Sequence, residues 1–217
     1  MMLEKIFPKL HQEVYKFLVI SGVLTLILWS ISDFFGFIFT LITIWVYYFF
    51  RDPKRKIIED DTYLVSPADG IISTVSEVNG PVELGLENKK FTRVSIFMNI
   101  FDCHVNRAPL KGEIEDIFYK PGKFLNASLD KASEENERNY FKIKDNKTAE
   151  CIVVVQIAGL IARRIVTHVE KKQTVNQGQR IGMIRFGSRV DVYYNQRKTM
   201  VKVGQNVIAG ESLIAED

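Results

Sequence analysis

Gly182-Met183-Ile184-Arg185-Phe186-Gly187-Ser188-Arg189-Val190-Asp191-Val192-Tyr193 is the stretch from which the fold is read. Apolar and polar residues alternate on either side of Phe186-Gly187-Ser188, so a strand enters, a strand leaves, and one Gly-Ser bond lies between them. Upstream, Tyr63-Leu64-Val65 leads into the turn Ser66-Pro67-Ala68-Asp69-Gly70 and on to Ile71-Ile72-Ser73-Thr74-Val75. Further β-type runs are Arg93 to Met98, Gly112 to Ile117, Cys151 to Ile157 and Ile165 to Val169. Glycines and prolines punctuate them at short spacing. Residues 57–217 therefore read as a mainly β domain of sandwich or barrel type. The polar stretch Asn126 to Lys147 carries most of the non-strand character, with one short helix expected around Leu129 to Arg138.

Residues 1–56 have a different composition. Phe17 to Ile31 has only Ser21, Thr25 and Ser30 as polar members, and Phe34 to Phe50 is broken only by Thr40 and Thr43. As helices at about 1.5 Å per residue each would run roughly 22 to 26 Å, a little short of the ~30 Å hydrocarbon core. Lys5, Lys9 and Lys16 precede the first run, Arg51, Lys54, Arg55 and Lys56 follow the second, and the tip carries only Asp33. Positive flanks stay cytoplasmic, so the arm reads as a helical hairpin anchoring a cytoplasmic domain to the cell (inner) membrane, fully spanning or re-entrant. There is also a faint internal repeat. Gln173-Thr174-Val175-Asn176-Gln177-Gly178 resembles Gln205-Asn206-Val207-Ile208-Ala209-Gly210. Its pattern is similar to the hairpin turns of lipoyl- and biotinyl-carrier hammerheads.

The Gly187-Ser188 bond carries distinctive chemistry. Glycine has no side chain to block attack on its carbonyl and tolerates unusual backbone angles. A serine hydroxyl held over that carbonyl can attack it and move the acyl group from nitrogen to oxygen. Elimination from the ester leaves dehydroalanine, and hydrolysis with loss of ammonia leaves a pyruvoyl ketone on residue 188. Such a ketone forms imines (Schiff bases) with amines and draws electrons from a departing carboxylate. A free hydroxyl is a poor nucleophile, so the first step needs a base.

Phe186-Gly187-Ser188 resembles the self-processing site of the phosphatidylserine decarboxylases, in their short bacterial and archaeal-type branch. Arg51-Asp52-Pro53, Ser66-Pro67-Ala68-Asp69-Gly70, His104-Val105-Asn106-Arg107-Ala108-Pro109, Pro121-Gly122-Lys123-Phe124 and Asn136-Glu137-Arg138 fall in that family's order. The resemblance implies cleavage between Gly187 and Ser188 into chains 1–187 and 188–217. It implies a covalent pyruvoyl group from Ser188 as cofactor, with no metal, and a membrane phospholipid substrate decarboxylated to phosphatidylethanolamine. Asp69 matches the aspartate of the family's self-cleavage group, and His104 matches a histidine suggested to handle protons in decarboxylation. The longer branch has a second histidine three residues further on, where this chain has Arg107. Guanidinium does not act as a base at ordinary pH. Either His104 therefore does both jobs, or Asp69 acts alone or through water. Arg107, Arg138 and Arg163 are the candidates for holding a phosphate and a carboxylate.

Composition bounds the alternatives. The 217 residues are 47% hydrophobic and 25% charged, with a net charge of +3. That balance excludes a disordered chain and gives no sign of nucleic-acid binding. Cys103 and Cys151 are too few for a disulfide framework and read as reduced thiols in a strand-rich core. No Cys/His cluster has zinc spacing. Two other functions stay open: decarboxylation of another serine phospholipid, and a non-catalytic, membrane-tethered hammerhead adaptor. The sequence leaves the oligomeric state open, a homo-oligomer included.

Overall fold

The computed structural model describes residues 8–123, 135–159, 164–185 and 188–217. The chain divides into two compact units, Met1–Lys54 and Arg55–Asp217. In the first, helix α1 (Val14–Ile31) and helix α2 (Asp33–Phe49) form an antiparallel hairpin. Ser32 between them is extended, at φ −162 and ψ 129, which interrupts the helix for a single residue. The hydroxyls of Thr25 and Thr43 lie 2.9 Å apart, and Trp29 Nε1 donates to Thr40 Oγ1 at 3.0 Å. Thr25 and Trp29 of one helix thus meet Thr43 and Thr40 of the other along the seam. Gly36 allows the close approach, since a Cβ there would fall 2.5 Å from the Trp29 indole. Helix α1 is long and apolar enough to cross a membrane, and α2 is a shorter apolar helix.

The second unit is mainly β. Its largest sheet has eight strands in the order β13 (Asn206–Val207), β2 (Gly70–Asn79), β3 (Lys90–Met98), β11 (Ser188–Tyr194), β7 (Cys151–Ala158), β6 (Arg138–Asp145), β5 (Gly112–Lys120), β9 (Thr174–Val175). A three-stranded sheet holds β4 (Val105–Arg107), β10 (Arg180–Arg185) and β8 (Arg164–Thr167). Another holds β1 (Tyr63–Val65), β14 (Leu213–Glu216) and β12 (Lys198–Thr199). The main core lies on one face of the large sheet, where Ile72, Ile96, Val154, Val190, Val192 and Ile184 pack together. A smaller cluster of Leu86, Phe91, Tyr140, Val153, Val155 and Ile157 covers part of the other face. With both faces of β7 buried, Cys-Ile-Val-Val-Val-Gln-Ile-Ala is almost continuously apolar, unlike the alternating β11.

The faint repeat extends well beyond the two Gln-to-Gly turns. Glu170 N–H bonds Gln173 Oε1 at 2.9 Å, and Lys202 N–H bonds Gln205 Oε1 at 3.2 Å. Ile114 N–H donates to Gln173 O, and Ile72 N–H donates to Gln205 O, each at 2.9 Å. Gly178 and Gly210 both have positive φ, at 73 and 78. Ser66-Pro67-Ala68-Asp69-Gly70-Ile71-Ile72 thereby corresponds to Ala108-Pro109-Leu110-Lys111-Gly112-Glu113-Ile114. Val65 N–H bonds Pro109 O while Arg107 N–H bonds Pro67 O, both at 2.9 Å, so the two copies cross-brace each other.

One finding differs from the sequence reading. Arg138 to Asp145, inside the stretch read as non-strand, is the full strand β6. Its polar residues have partners inside the sheet, such as Asn139 with Gln156 and Lys142 with Glu115. Most of the helix expected around 129–138 lies outside the described residues, and Arg138 itself opens β6. Strands β10 and β11 do not pair with each other. They sit in different sheets.

Strand β11 is pinned from its polar face. Arg189 donates from Nε and Nη2 to the two carboxylate oxygens of Asp191, at 2.6 and 2.8 Å, and from Nη2 to Ser95 Oγ at 3.0 Å. Residues two apart on a strand share a face, and this pair is almost wholly buried. Removing one member of a buried ion pair leaves the other desolvated, which costs about 3–5 kcal/mol. Asp191→Ala is expected to lower stability by that amount in urea unfolding, with an Arg189→Met/Asp191→Leu double variant recovering most of it. A loss below about 1 kcal/mol for the single variant, the range of exposed pairs, would show that the pair is not desolvated.

Candidate active site

One end of the eight-stranded sheet collects the motif residues. Strand β2 begins there, β3 ends at Met98, β11 begins at Ser188, β7 ends at Ala158 and β6 begins at Arg138. Ser188 is in register with Met98 on one side and Ala158 on the other. It is fully buried, and its Oγ donates to Met98 Sδ at 3.4 Å. A thioether is a weak acceptor, so this contact holds the hydroxyl loosely. The Asn136-Glu137-Arg138 block braces the far side. Asn136 Nδ2 donates to Ala158 O at 2.7 Å, Ala158 N–H donates to Glu137 O at 3.0 Å, and Glu137 Oε1 accepts from Ile165 N–H at 3.3 Å.

His104 comes from the small sheet. Met183 is in register with Val105, and Ile184 N–H donates to His104 O at 3.3 Å. His104 thus lies beside β10, one residue before that strand ends at Arg185. The ring is buried, with Nδ1 3.0 Å from Asp102 O. A carbonyl oxygen only accepts, so Nδ1 carries the proton in this contact. The neutral ring then presents its lone pair at Nε2, the form suited to take a proton.

Two residues along, and on the same face by strand alternation, Asn106 Nδ2 lies 3.9 Å from Met98 Sδ. Gln156 Nε2 donates to Asn106 Oδ1 at 2.8 Å, and Asn139 Nδ2 donates to Gln156 Oε1 at 3.2 Å. This buried amide chain sets which way each amide points and ends against the sulfur that touches Ser188. Asn106 lies in the His104 motif, so a signal for it existed. Met98 and Gln156 carried none, since a methionine ending an apolar strand and a glutamine inside one read as packing.

Asp69 stands at the same end of the sheet but is occupied. Arg55 Nη2 donates to its Oδ2 at 2.6 Å, and Ala209 N–H donates to its Oδ1 at 2.8 Å. Its carboxylate therefore faces these two groups rather than His104 or Ser188. Gly70 follows at φ 148, where a Cβ would fall 2.2 Å from Phe97 O. Only glycine lets β2 start this close to β3. Burial lowers the Arg55 pKa, but Asp69 and then Cys103 outweigh it and raise the pKa above its ordinary value. Arg55, read from sequence as a flank of the membrane arm, thus connects Asp69 to the residue before His104.

The candidate anion binders separate. Arg107 is buried, and its Nη1 donates to Gly178 O at 2.9 Å. Its register partner is Arg180, at the opposite end of β10 from Arg185, roughly 16 Å along at about 3.3 Å per residue. The structure does not bring Arg107 to Ser188. Arg138 is at the correct end but shares Glu83 Oε1 with Lys120, at 3.3 and 2.9 Å. Burial raises the Glu83 pKa, and Lys120 with Arg138 more than reverse this, holding it below the usual carboxylate value. Arg163, Phe186 and Gly187 lie outside the described residues. Arg185, whose pKa burial lowers, stands in direct cross-strand register with exposed Arg164. Cys103 is buried and Cys151 half-buried, and neither is in a disulfide. Burial pushes the Cys151 thiol up.

Residues 42–215 match the family profile described as phosphatidylserine decarboxylase. A phosphatidylserine decarboxylase proenzyme of Pelagibacter ubique is 64% identical over 215 residues, covering 99% of this chain and all of that protein. Proteins of the same name from Ruegeria pomeroyi and Cereibacter sphaeroides are 49% and 47% identical, covering 95% and 99% of this chain and 94% and 93% of theirs.

Proposed function

From the premise that this chain belongs to the phosphatidylserine decarboxylase family, and so is a carbon–carbon lyase, we propose that it matures by cutting itself between Gly187 and Ser188 and then decarboxylates phosphatidylserine to phosphatidylethanolamine. The single observation that carries the reading is the position of Ser188, buried at the head of β11 between registered neighbours on both sides. Residue 188 thereby keeps its place after a cut. The small chain 188–217 keeps β11 between β3 and β7, β13 on β2, and β14 on β1. The surroundings of residue 188 fit a pyruvoyl group. Met98 and Ala158 flank it, and neither presents an amine that would compete with substrate.

The pyruvoyl ketone supplies an electron sink for the bond to the departing carboxylate once a substrate amine has joined it. The chain's own residues do the rest. Met98 and Ala158 fix the backbone at residue 188, and the Asn106–Gln156–Asn139 amides hold Met98 in place. His104 takes up a proton at the Nε2 lone pair from solvent and, as the imidazolium, returns it to the substrate carbon after carbon dioxide has left. For self-cleavage, both carboxylate oxygens of Asp69 are engaged, by Arg55 and by Ala209 N–H, which favours His104 over Asp69 as the direct base. The exposed apolar side chains of α1 and α2, among them Val19, Leu26, Phe34 and Ile44, support membrane anchoring, and the flanking lysines and arginines favour a cytoplasmic β domain. The paired turns ending at Gly178 and Gly210 support two hammerhead-like hairpins as the frame.

The test is carbon dioxide release by the purified full-length protein in detergent, across a panel of serine phospholipids. Phosphatidylserine is expected to be converted to phosphatidylethanolamine. Turnover confined to a different serine lipid would move the assignment to that lipid, and none on any would overturn it.

A further inference from the structure

One guanidinium reaches both loops that carry the titratable candidates of the site. Arg55 opens the second unit of the chain, and its side chain is only 12% exposed. Its Nη2 donates at 2.6 Å to Oδ2 of Asp69, the residue before β2. The same guanidinium bonds the side chain of Cys103, which is buried in the loop between β3 and β4. The backbone after Arg55 is tied down as well. Lys56 N–H donates to Glu211 Oε1 at 2.9 Å, and Ile57 fills the space over Gly178 and Gly210 where a Cβ would stand. Arg55 is thus built into the β domain.

Cys103 lies at the centre of the turn that carries the imidazole. On one side of it, Asp102 O holds His104 Nδ1 at 3.0 Å, and Asp102 N–H bonds Asn99 O at 3.0 Å. On the other, His104 O accepts from Ile184 N–H at 3.3 Å. A grip on the Cys103 side chain fixes the residue between these two anchors, and with it the direction of the ring. Arginine suits the task. Its planar fork offers several N–H donors in fixed directions, so one end pairs with a carboxylate while another meets the sulfur. An ammonium is a point charge and does not reproduce that fork. Asp69, itself held by Ala209 N–H at 2.8 Å, sets where the guanidinium stands.

We propose that Arg55 is a positioning residue for His104. Asp69 orients its guanidinium, the guanidinium holds Cys103, and Cys103 sets the imidazole that handles protons at the site. The inference rests on the decarboxylase reading and deepens it. It gives Asp69 a part in the chemistry that does not require it to be the base.

The test uses the full-length protein in detergent with dihexanoyl phosphatidylserine, and counts active chains by titrating their ketone with a hydrazide. Arg55→Lys keeps the charge and loses the fork. Its kcat per ketone is expected to fall about tenfold or more, since small misplacements of a reacting group cost up to ~10²-fold. KM is expected to hold, because His104 acts on the reacting state and not on binding. A fault confined to folding would lower the yield of cut chain and leave kcat per ketone at the wild-type value. The second arm changes the other end of the contact. Cys103→Ser keeps an acceptor for the guanidinium, and Cys103→Val fills similar space without one. Cys103→Ser is expected to retain more of kcat than Cys103→Val, whereas a residue that only packs in a core would rank them the other way. Wild-type kcat per ketone in Arg55→Lys, or Cys103→Val at or above Cys103→Ser, overturns the positioning role. Where Arg55→Lys gives no cut chain, the order of the two Cys103 variants decides alone. Wild type that is uncut, or inactive on every serine lipid, overturns the decarboxylase reading instead.

Discussion

Ser188→Ala yields a single uncut chain that releases no carbon dioxide. Alanine has no hydroxyl to attack the Gly187 carbonyl, so neither the ester nor the ketone that descends from it can form. The expected loss is at least ~10⁶-fold, the low end of what enzymes contribute over the uncatalysed reaction. The variant is a clean one because the fold asks little of this hydroxyl. Its contact is a 3.4 Å approach to the Met98 thioether, and the backbone of residue 188 keeps its registered neighbours on β3 and β7. A near-native melting temperature together with absent cleavage is therefore expected. A Ser188→Ala protein that is cut and active would remove the basis of the whole account.

His104→Ala is the second large effect. The imidazole is buried with Nδ1 committed to Asp102 O, which leaves Nε2 to exchange protons. Loss of a positioned acid or base typically costs about 10²–10⁴-fold, and carbon dioxide release is expected to fall by at least ~10²-fold. A denaturing gel of the same variant assigns the base for cleavage. An uncut chain gives both jobs to His104, whereas two chains give cleavage to Asp69 or to water. Near wild-type turnover would make His104 structural.

Part of this was legible from local pattern. The apolar runs of β3, β5 and β7 and the alternation of β11 were visible because each buries a continuous or alternating side in the core. Strand β6 was hidden because its polar residues are satisfied by partners far away in sequence, such as Glu83 for Arg138. Pairing over such distances leaves no periodic mark. The same holds for β10 and β11, which look like the arms of a hairpin and lie in different sheets. Among the site residues, the resemblance singled out Ser188, His104 and Asp69, and all three come to one end of the large sheet. It could not show that Asp69 is held by Arg55 and Ala209, or that Arg107 is turned to Gly178 instead. A charged residue's partner is a fact of tertiary structure. The repeat was faint for the opposite reason. Its hydrogen bonds recur closely, yet most are backbone bonds that constrain side-chain identity only at the glycines and glutamines.

The central claim is that residue 188 ends as a ketone at the head of a separate chain. Intact-mass spectrometry of the purified wild-type protein under denaturing conditions tests it directly. Two chains are predicted, one ending at Gly187 and one spanning residues 188–217. The small chain should be lighter by one ammonia than the same peptide beginning with serine, and it should gain the mass of a hydrazide reagent that reacts with ketones. A single chain, or a small chain beginning with an unmodified serine amine, would contradict it.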